Sequence, residues 1–75
     1  MAVQYAYNYA EIQNFDGMCV GVHTSTNGNL DGSTNGETTY IAIPVYDGEY
    51  LLKYYINGNW YEDAAGTIPW TSSLL

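Results

Sequence analysis

An Asn-Gly pair set between two aromatic runs constrains this chain more than any other feature of its sequence. Tyr50-Leu51-Leu52-Lys53-Tyr54-Tyr55-Ile56 leads into Asn57-Gly58, and Asn59-Trp60-Tyr61-Glu62 follows. A two-residue hairpin turn of this type needs positive φ at both positions, which Asn and Gly tolerate, and its twist matches that of antiparallel strands. The register follows: Ile56 faces Asn59, Tyr55 faces Trp60, Tyr54 faces Tyr61 and Lys53 faces Glu62. Two aromatic pairs and one opposite-charge pair result, each contributing roughly 0.2–1 kcal/mol.

The rest of the chain reads in the same way. Helical periodicity is absent, and β-branched and aromatic residues fill the stretches between turn signals. A first strand is expected from about Tyr5 to Gln13 and a second from Met18 to about Thr24. A three-residue loop, Phe15-Asp16-Gly17 with Gly17 left-handed, would pair Ile12 with Val20 and Ala10 with Val22. Ile12, Met18, Val20 and Val22 then share an apolar face, with Tyr9, Glu11, Cys19 and His23 on the other. Residues 24–38 are almost wholly Ser, Thr, Asn, Gly, Asp and Glu. They read as a long, mobile, exposed loop that only Leu30 anchors. A third strand runs from Thr39 to Val45, ended or held at a sheet edge by Pro44, and Asp47-Gly48 turns into the hairpin. Ala64 to Thr67 turns again, Ile68-Pro69-Trp70 tucks back onto the sheet, and residues 71–75 are loosely ordered.

The expected fold is therefore all-β, one domain over residues 1–75. It is a small antiparallel meander of about four to five strands, as a single sheet or small open barrel. One face (Ile12, Val20, Val22, Ile41, Ile43, Leu52, Tyr54 and Ile56) must be covered, and no helix is expected that would cover it. Either the sheet curls on itself or it packs on another copy.

Composition narrows what such a domain does. With 75 residues, a chain this size buries about 60–65% of its unfolded surface, so it needs added support. Cys19 is the only cysteine, which excludes a disulfide within the chain. A metal, a partner subunit or large side chains remain, and nine Tyr, two Trp and one Phe supply the last. The formal charge is −7, and Lys53 is the sole Lys or Arg. Nucleic acid and anionic membrane surfaces are excluded as partners, because nothing neutralises their phosphates. No apolar run reaches the roughly 18 residues of a spanning helix, and no signal-peptide pattern opens the chain. The expectation is a mature chain beginning near Met1, made in a cytoplasm.

Catalysis finds no support. Cys19 and His23 lie four residues apart on one strand, which separates their Cα atoms by about 13 Å, too far for a dyad or a shared zinc. Asn27-Gly28-Asn29-Leu30-Asp31-Gly32 opens like a calcium loop, but its twelfth position is Thr38 where a bidentate Glu belongs. Weak calcium binding there and a plain turn-rich loop both stay open. Glu62 and Asp63 are adjacent and point to opposite faces. The chain is read as no enzyme, with no metal site and no cofactor. The aromatic residues are the live feature. Tyr55 and Trp60 are expected side by side, with Lys53 and Glu62, on the face opposite the apolar set. They form either a subunit interface or, with Tyr61 and Trp70, a ligand or partner platform.

Two resemblances follow from these segments. The first rests on Tyr9-Ala10-Glu11-Ile12, Cys19-Val20-Gly21-Val22, Tyr40-Ile41-Ala42-Ile43-Pro44-Val45-Tyr46-Asp47 and Leu51 through Trp60. In that order they resemble small tail-associated β modules of phages and prophages of Gram-positive bacteria, apart from the longer polar loop. The resemblance implies a non-enzymatic, virion-associated role, synthesis in a bacterial cytoplasm, and partnership with itself as a homo-oligomer or with a larger phage structural protein. It carries no active-site residues. The second is local: Gly58-Asn59-Trp60-Tyr61-Glu62-Asp63-Ala64-Ala65-Gly66 through Trp70 is similar to one choline-type cell-wall-binding repeat. That implies an alternative role, binding of bacterial wall polymer or glycan through Tyr55, Trp60, Tyr61 and Trp70. In such proteins neighbouring repeats box a quaternary ammonium, and here there is one copy.

Overall fold

The strand β1, Tyr7–Gln13, organises the molecule, because it is buried on both faces. Tyr9 and Ala10 are adjacent and both buried, as is Ile12, so neighbouring elements must cover opposite sides of the same strand. The computed structural model of the chain describes residues 7–75. The expected strand start at Tyr5, and the expected mature start near Met1, lie outside the described residues.

The protein is all-β and antiparallel, with β2 at Cys19–Ser25, β3 at Thr38–Ile43, β4 at Tyr54–Ile56 and β5 at Asn59–Tyr61. A 3-10 turn at Gly48–Tyr50 lies between β3 and β4. The strands divide between a three-stranded sheet, ordered β2-β1-β3, and a two-stranded sheet of β4 and β5, and no barrel closes. β3 therefore lies against β1 and not against β2, its neighbour in sequence. The connection from residue 26 to 37 is no tight hairpin and leaves β3 free to cross to the other side of β1. The two sheets are stitched by backbone hydrogen bonds from Cys19 N–H to the Lys53 carbonyl, 2.8 Å, and from Leu52 N–H to the Cys19 carbonyl, 2.9 Å.

The first hairpin departs from the expected register by one residue over part of its length. Ala10 faces Val22 as expected, but Ile12 faces Cys19, not Val20. Gln13 then bonds Met18, so the loop has four residues, Asn14 to Gly17. The difference is absorbed by a bulge at Val20, which reverses the side-chain alternation of β2 from that point back toward the loop. Cys19 enters the core and Val20 turns out, 38% exposed. Gly17 has φ of +81° as expected. Its carbonyl accepts from Tyr55 N–H at 2.9 Å, and an added Cβ would meet the Tyr55 carbonyl oxygen at 2.8 Å. No side chain fits there.

The second hairpin has the expected register where it is paired: Tyr54 faces Tyr61, Tyr55 faces Trp60 and Ile56 faces Asn59. Asn57 and Gly58 take φ of 51° and 84°, as the turn demands. The expected Lys53–Glu62 pair does not form. β4 begins only at Tyr54, because Leu52 takes positive φ and breaks the extended run before it. Leu52 is consequently 66% exposed and not part of the covered face.

The core comprises Ala10, Ile12, Cys19, Ile43 and Tyr50, with Val22, Ile41, Val45, Tyr55, Trp60 and Trp70 packed against it. On the other side of β1, the Tyr9 hydroxyl donates to the Asn27 carbonyl at 2.6 Å. The polar connection is exposed but laced down: Gly32 N–H bonds the Tyr40 carbonyl, Tyr40 N–H the Ser33 carbonyl, and Ala42 N–H the Asp31 carboxylate. These contacts cover the outer edge of β3. The segment 71–75, expected to be loose, is also pinned. Ser72 is 3% exposed and donates its hydroxyl to Asp47, a partner 25 residues away that no local pattern reveals.

Candidate functional site

The aromatic platform forms differently from the expectation. Tyr55 and Trp60 pack against the core cluster, not on a separate face. Their ring centroids lie 5.1 Å apart at 57°, as a cross-strand pair should. The organising ring is Tyr50, 2% exposed. Its centroid lies 4.8 Å from Trp60 and 4.8 Å from Trp70, edge-on to each. The two indoles stand 6.5 Å apart at 72°. Quadrupole attraction favours such edge-to-face contacts.

Local chemistry explains how these rings converge. Asp47 caps the 3-10 turn, accepting from Glu49 N–H at 2.9 Å, and so delivers Tyr50 into the core. Beyond β5, Asp63 builds a turn: its carboxylate accepts from the Thr67 hydroxyl and from the N–H groups of Thr67 and Ile68, the latter two at 2.9 Å. The chain then runs back along β5. Glu62 N–H bonds the Ile68 carbonyl at 2.8 Å, Tyr61 bridges Pro69, and Trp70 N–H bonds the Trp60 carbonyl at 3.0 Å. Residues 68–70 thus act as a further strand, which brings Trp70 beside Trp60, and Ser72 on Asp47 secures the end.

A groove of about 580 Å³ opens here, lined by Trp60, Tyr61 and Trp70 together with Pro44, Tyr50, Gly58, Asn59, Pro69, Thr71, Ser72 and Leu75. Three of the four residues expected to bind are brought together; Tyr55 packs on Trp60 but does not line the groove. The volume falls within the roughly 300–1,000 Å³ of small-ligand sites. Tyr50 and Ser72 escaped the sequence reading, although Asp47-Gly48-Glu49 ahead of Tyr50 carries a capping pattern that could have located the turn.

The electrostatics are local. The Ser72 hydroxyl and then the Glu49 N–H hold the Asp47 carboxyl below its ordinary value. The Thr67 hydroxyl and then the Ile68 N–H do the same for Asp63. Burial first, then the charge of Asp47, raises the Tyr50 phenol, so it stays neutral. Lys53 Nζ sits 5.1 Å from the Trp70 ring centroid, a cation–π contact within the chain.

The remaining chemistry-bearing residues stay apart. Cys19 and His23 fall on opposite faces, not on one, because of the Val20 bulge. Cys19 is buried, and burial pushes its thiol up. His23 Nε2 lies 2.9 Å from Glu11 Oε1, with Tyr40 edge-on at 5.6 Å. In the polar connection, Asn27, Asp31 and Asn35 spend side-chain oxygens on backbone N–H groups. Among the described residues no group of three or more His, Cys, Asp or Glu could hold a metal, and no helix is long and apolar enough to cross a membrane.

No family model, curated protein or solved structure matches this chain.

Proposed function

We propose that the chain is a non-enzymatic structural module, of the tail-associated phage kind its segments resemble, that works by assembling with copies of itself or onto a larger virion protein. The outer edge of β2 carries this reading. β1 pairs its inner edge, and the Lys53 segment occupies only its start at Cys19. From Gly21 to Ser25 no strand covers the outer edge among the described residues, and no Lys or Pro guards it. Such an edge is a template for a strand from another chain.

Apolar groups flank the start of that edge. Val20 is 38% exposed, Leu51 42% and Leu52 66%, and the Leu52–Cys19 hydrogen bond holds the two segments together. An ordered edge with an exposed apolar shoulder is what a small domain with a modest core presents to a partner.

Size-exclusion chromatography with light scattering tests this on the intact chain. Association is expected, and it should strengthen with salt, because copies carrying a formal −7 charge repel until they are screened. Leu52→Glu should shift the population to monomer. A monomer at every concentration and salt, with β2 amides exchanging no more slowly as concentration rises, would remove self-assembly from the proposal and leave docking on a larger protein. Association unaffected by Leu52→Glu and without β2 protection would overturn the edge as its basis.

A further inference from the structure

We infer that the groove over the paired segments β5 and 68–70, walled by Trp60 and Trp70, is a binding site for an uncharged saccharide. The inference stands apart from the assembly reading, since it uses a different surface. Three observations lead to it.

The first is the wall. Trp60 and Trp70 meet at 72° with centroids 6.5 Å apart, so they form a corner, not parallel ridges. A pyranose ring has an apolar C–H face and a polar rim. Laid on one indole, it brings its rim toward the second wall, whereas an extended proline-rich peptide suits parallel aromatic ridges.

The second is charge. Although the chain is strongly acidic, no acidic or basic side chain lines the groove. The nearby Asp47 is turned to Ser72 and Glu49 N–H. The Lys53 ammonium lies 5.1 Å from the Trp70 ring centroid without lining the groove. A lining of aromatic rings and neutral polar side chains suits an uncharged ligand.

The third is the supply of polar groups. Among the described residues, every buried side-chain nitrogen and oxygen has a hydrogen-bond partner. The indole N–H groups of Trp60 and Trp70 and the Thr71 hydroxyl have no hydrogen-bond partner among the described residues. With the Asn59 amide they offer donors and acceptors of the kind sugar hydroxyls exchange with.

The test is a titration of the full chain with chitotetraose, cellotetraose and maltotetraose as uncharged probes. Choline chloride, tetragalacturonate and a proline decamer serve as comparisons, with tryptophan fluorescence and amide chemical shifts as readouts. At least one uncharged probe should bind saturably and shift the amides of residues 58–61 and 69–72. Thr71→Val, which keeps side-chain shape, should weaken that binding severalfold, and Trp70→Phe should weaken it by about tenfold or more. Circular dichroism confirms that each variant stays folded, and Thr71→Val decides should Trp70→Phe unfold. Absence of saturable binding by all three uncharged probes overturns the inference. So does binding of choline, tetragalacturonate or the proline peptide in preference to them, or sugar binding that shifts only amides elsewhere.

Discussion

Tyr50 joins the 3-10 turn to both indoles of the C-terminal part of the chain. It is the buried ring against which both indoles lie at 4.8 Å. Truncating a buried aromatic to alanine costs about 3–5 kcal/mol, and a 75-residue domain has a total stability of roughly 4–11 kcal/mol at the usual per-residue values. Tyr50→Ala is therefore expected to unfold much of the population and erase the near-ultraviolet dichroism of the tryptophans. Tyr50→Phe, which keeps the ring, should cost under about 1 kcal/mol in urea denaturation. Equal losses from both variants would show that the ring packing is not what matters. Sequence reading passed over Tyr50 because it assigned the residue to a strand. A run of alternating apolar residues looks extended until one of them, here Leu52, takes positive φ.

At the level of elements, two turns set the registers and one bulge corrects them. The Asn57-Gly58 hairpin was legible because its geometry is local and its residues are those the turn requires. The Val20 bulge was not, since nothing in Cys19-Val20-Gly21-Val22 distinguishes a four-residue loop with a bulge from a three-residue loop without one. Tertiary contact decides: the Cys19 carbonyl accepts from Leu52 N–H, the Cys19 N–H donates to the Lys53 carbonyl, and the Gly17 carbonyl accepts from Tyr55 N–H. Gly17→Ala tests this junction. It adds a Cβ at positive φ and 2.8 Å from a backbone oxygen, and should destabilise by more than about 1 kcal/mol. Gly48→Ala, at a site where an added Cβ meets nothing within 4 Å, is the control. Similar urea midpoints for the two variants would mean that the sheets are not held together at Gly17. The same limit explains the candidate site. Trp60 and Tyr61 could be placed from the hairpin and the tuck of residues 68–70 was expected, but the closure of the groove depends on Ser72 finding Asp47, 25 residues away.

For the whole molecule, two carboxylates tie down the C-terminal third, and both titrate in the same direction. Asp47 is lowered chiefly by the Ser72 hydroxyl and Asp63 chiefly by the Thr67 hydroxyl. A carboxyl whose folded pKa lies below its unfolded value stabilises the fold above that unfolded value, near 4, and loses the contribution as pH falls through the folded one. Tryptophan fluorescence should therefore hold steady from pH 7 to about 4 and change below it, as Ser72 and the 68–70 strand release. Asp47→Asn should mute the part of the change that reports on Trp70. A flat profile to pH 2 would show that these carboxylates do not hold the tail.

What the sequence determined by itself is the class of structure: all-β, antiparallel, turned at Gly17 and Asn57-Gly58, with aromatic pairs across the second hairpin. Those features depend on φ preferences and on period-two alternation, which act between residues close in the chain. Tertiary structure decided which faces Cys19 and Val20 show, that β3 lies beside β1, and that the tail closes over Tyr50 to make a groove. These outcomes rest on contacts between residues far apart in sequence, such as Cys19 with Leu52 and Asp47 with Ser72. Their free energy exists only once the sheets have met, so no local pattern encodes them.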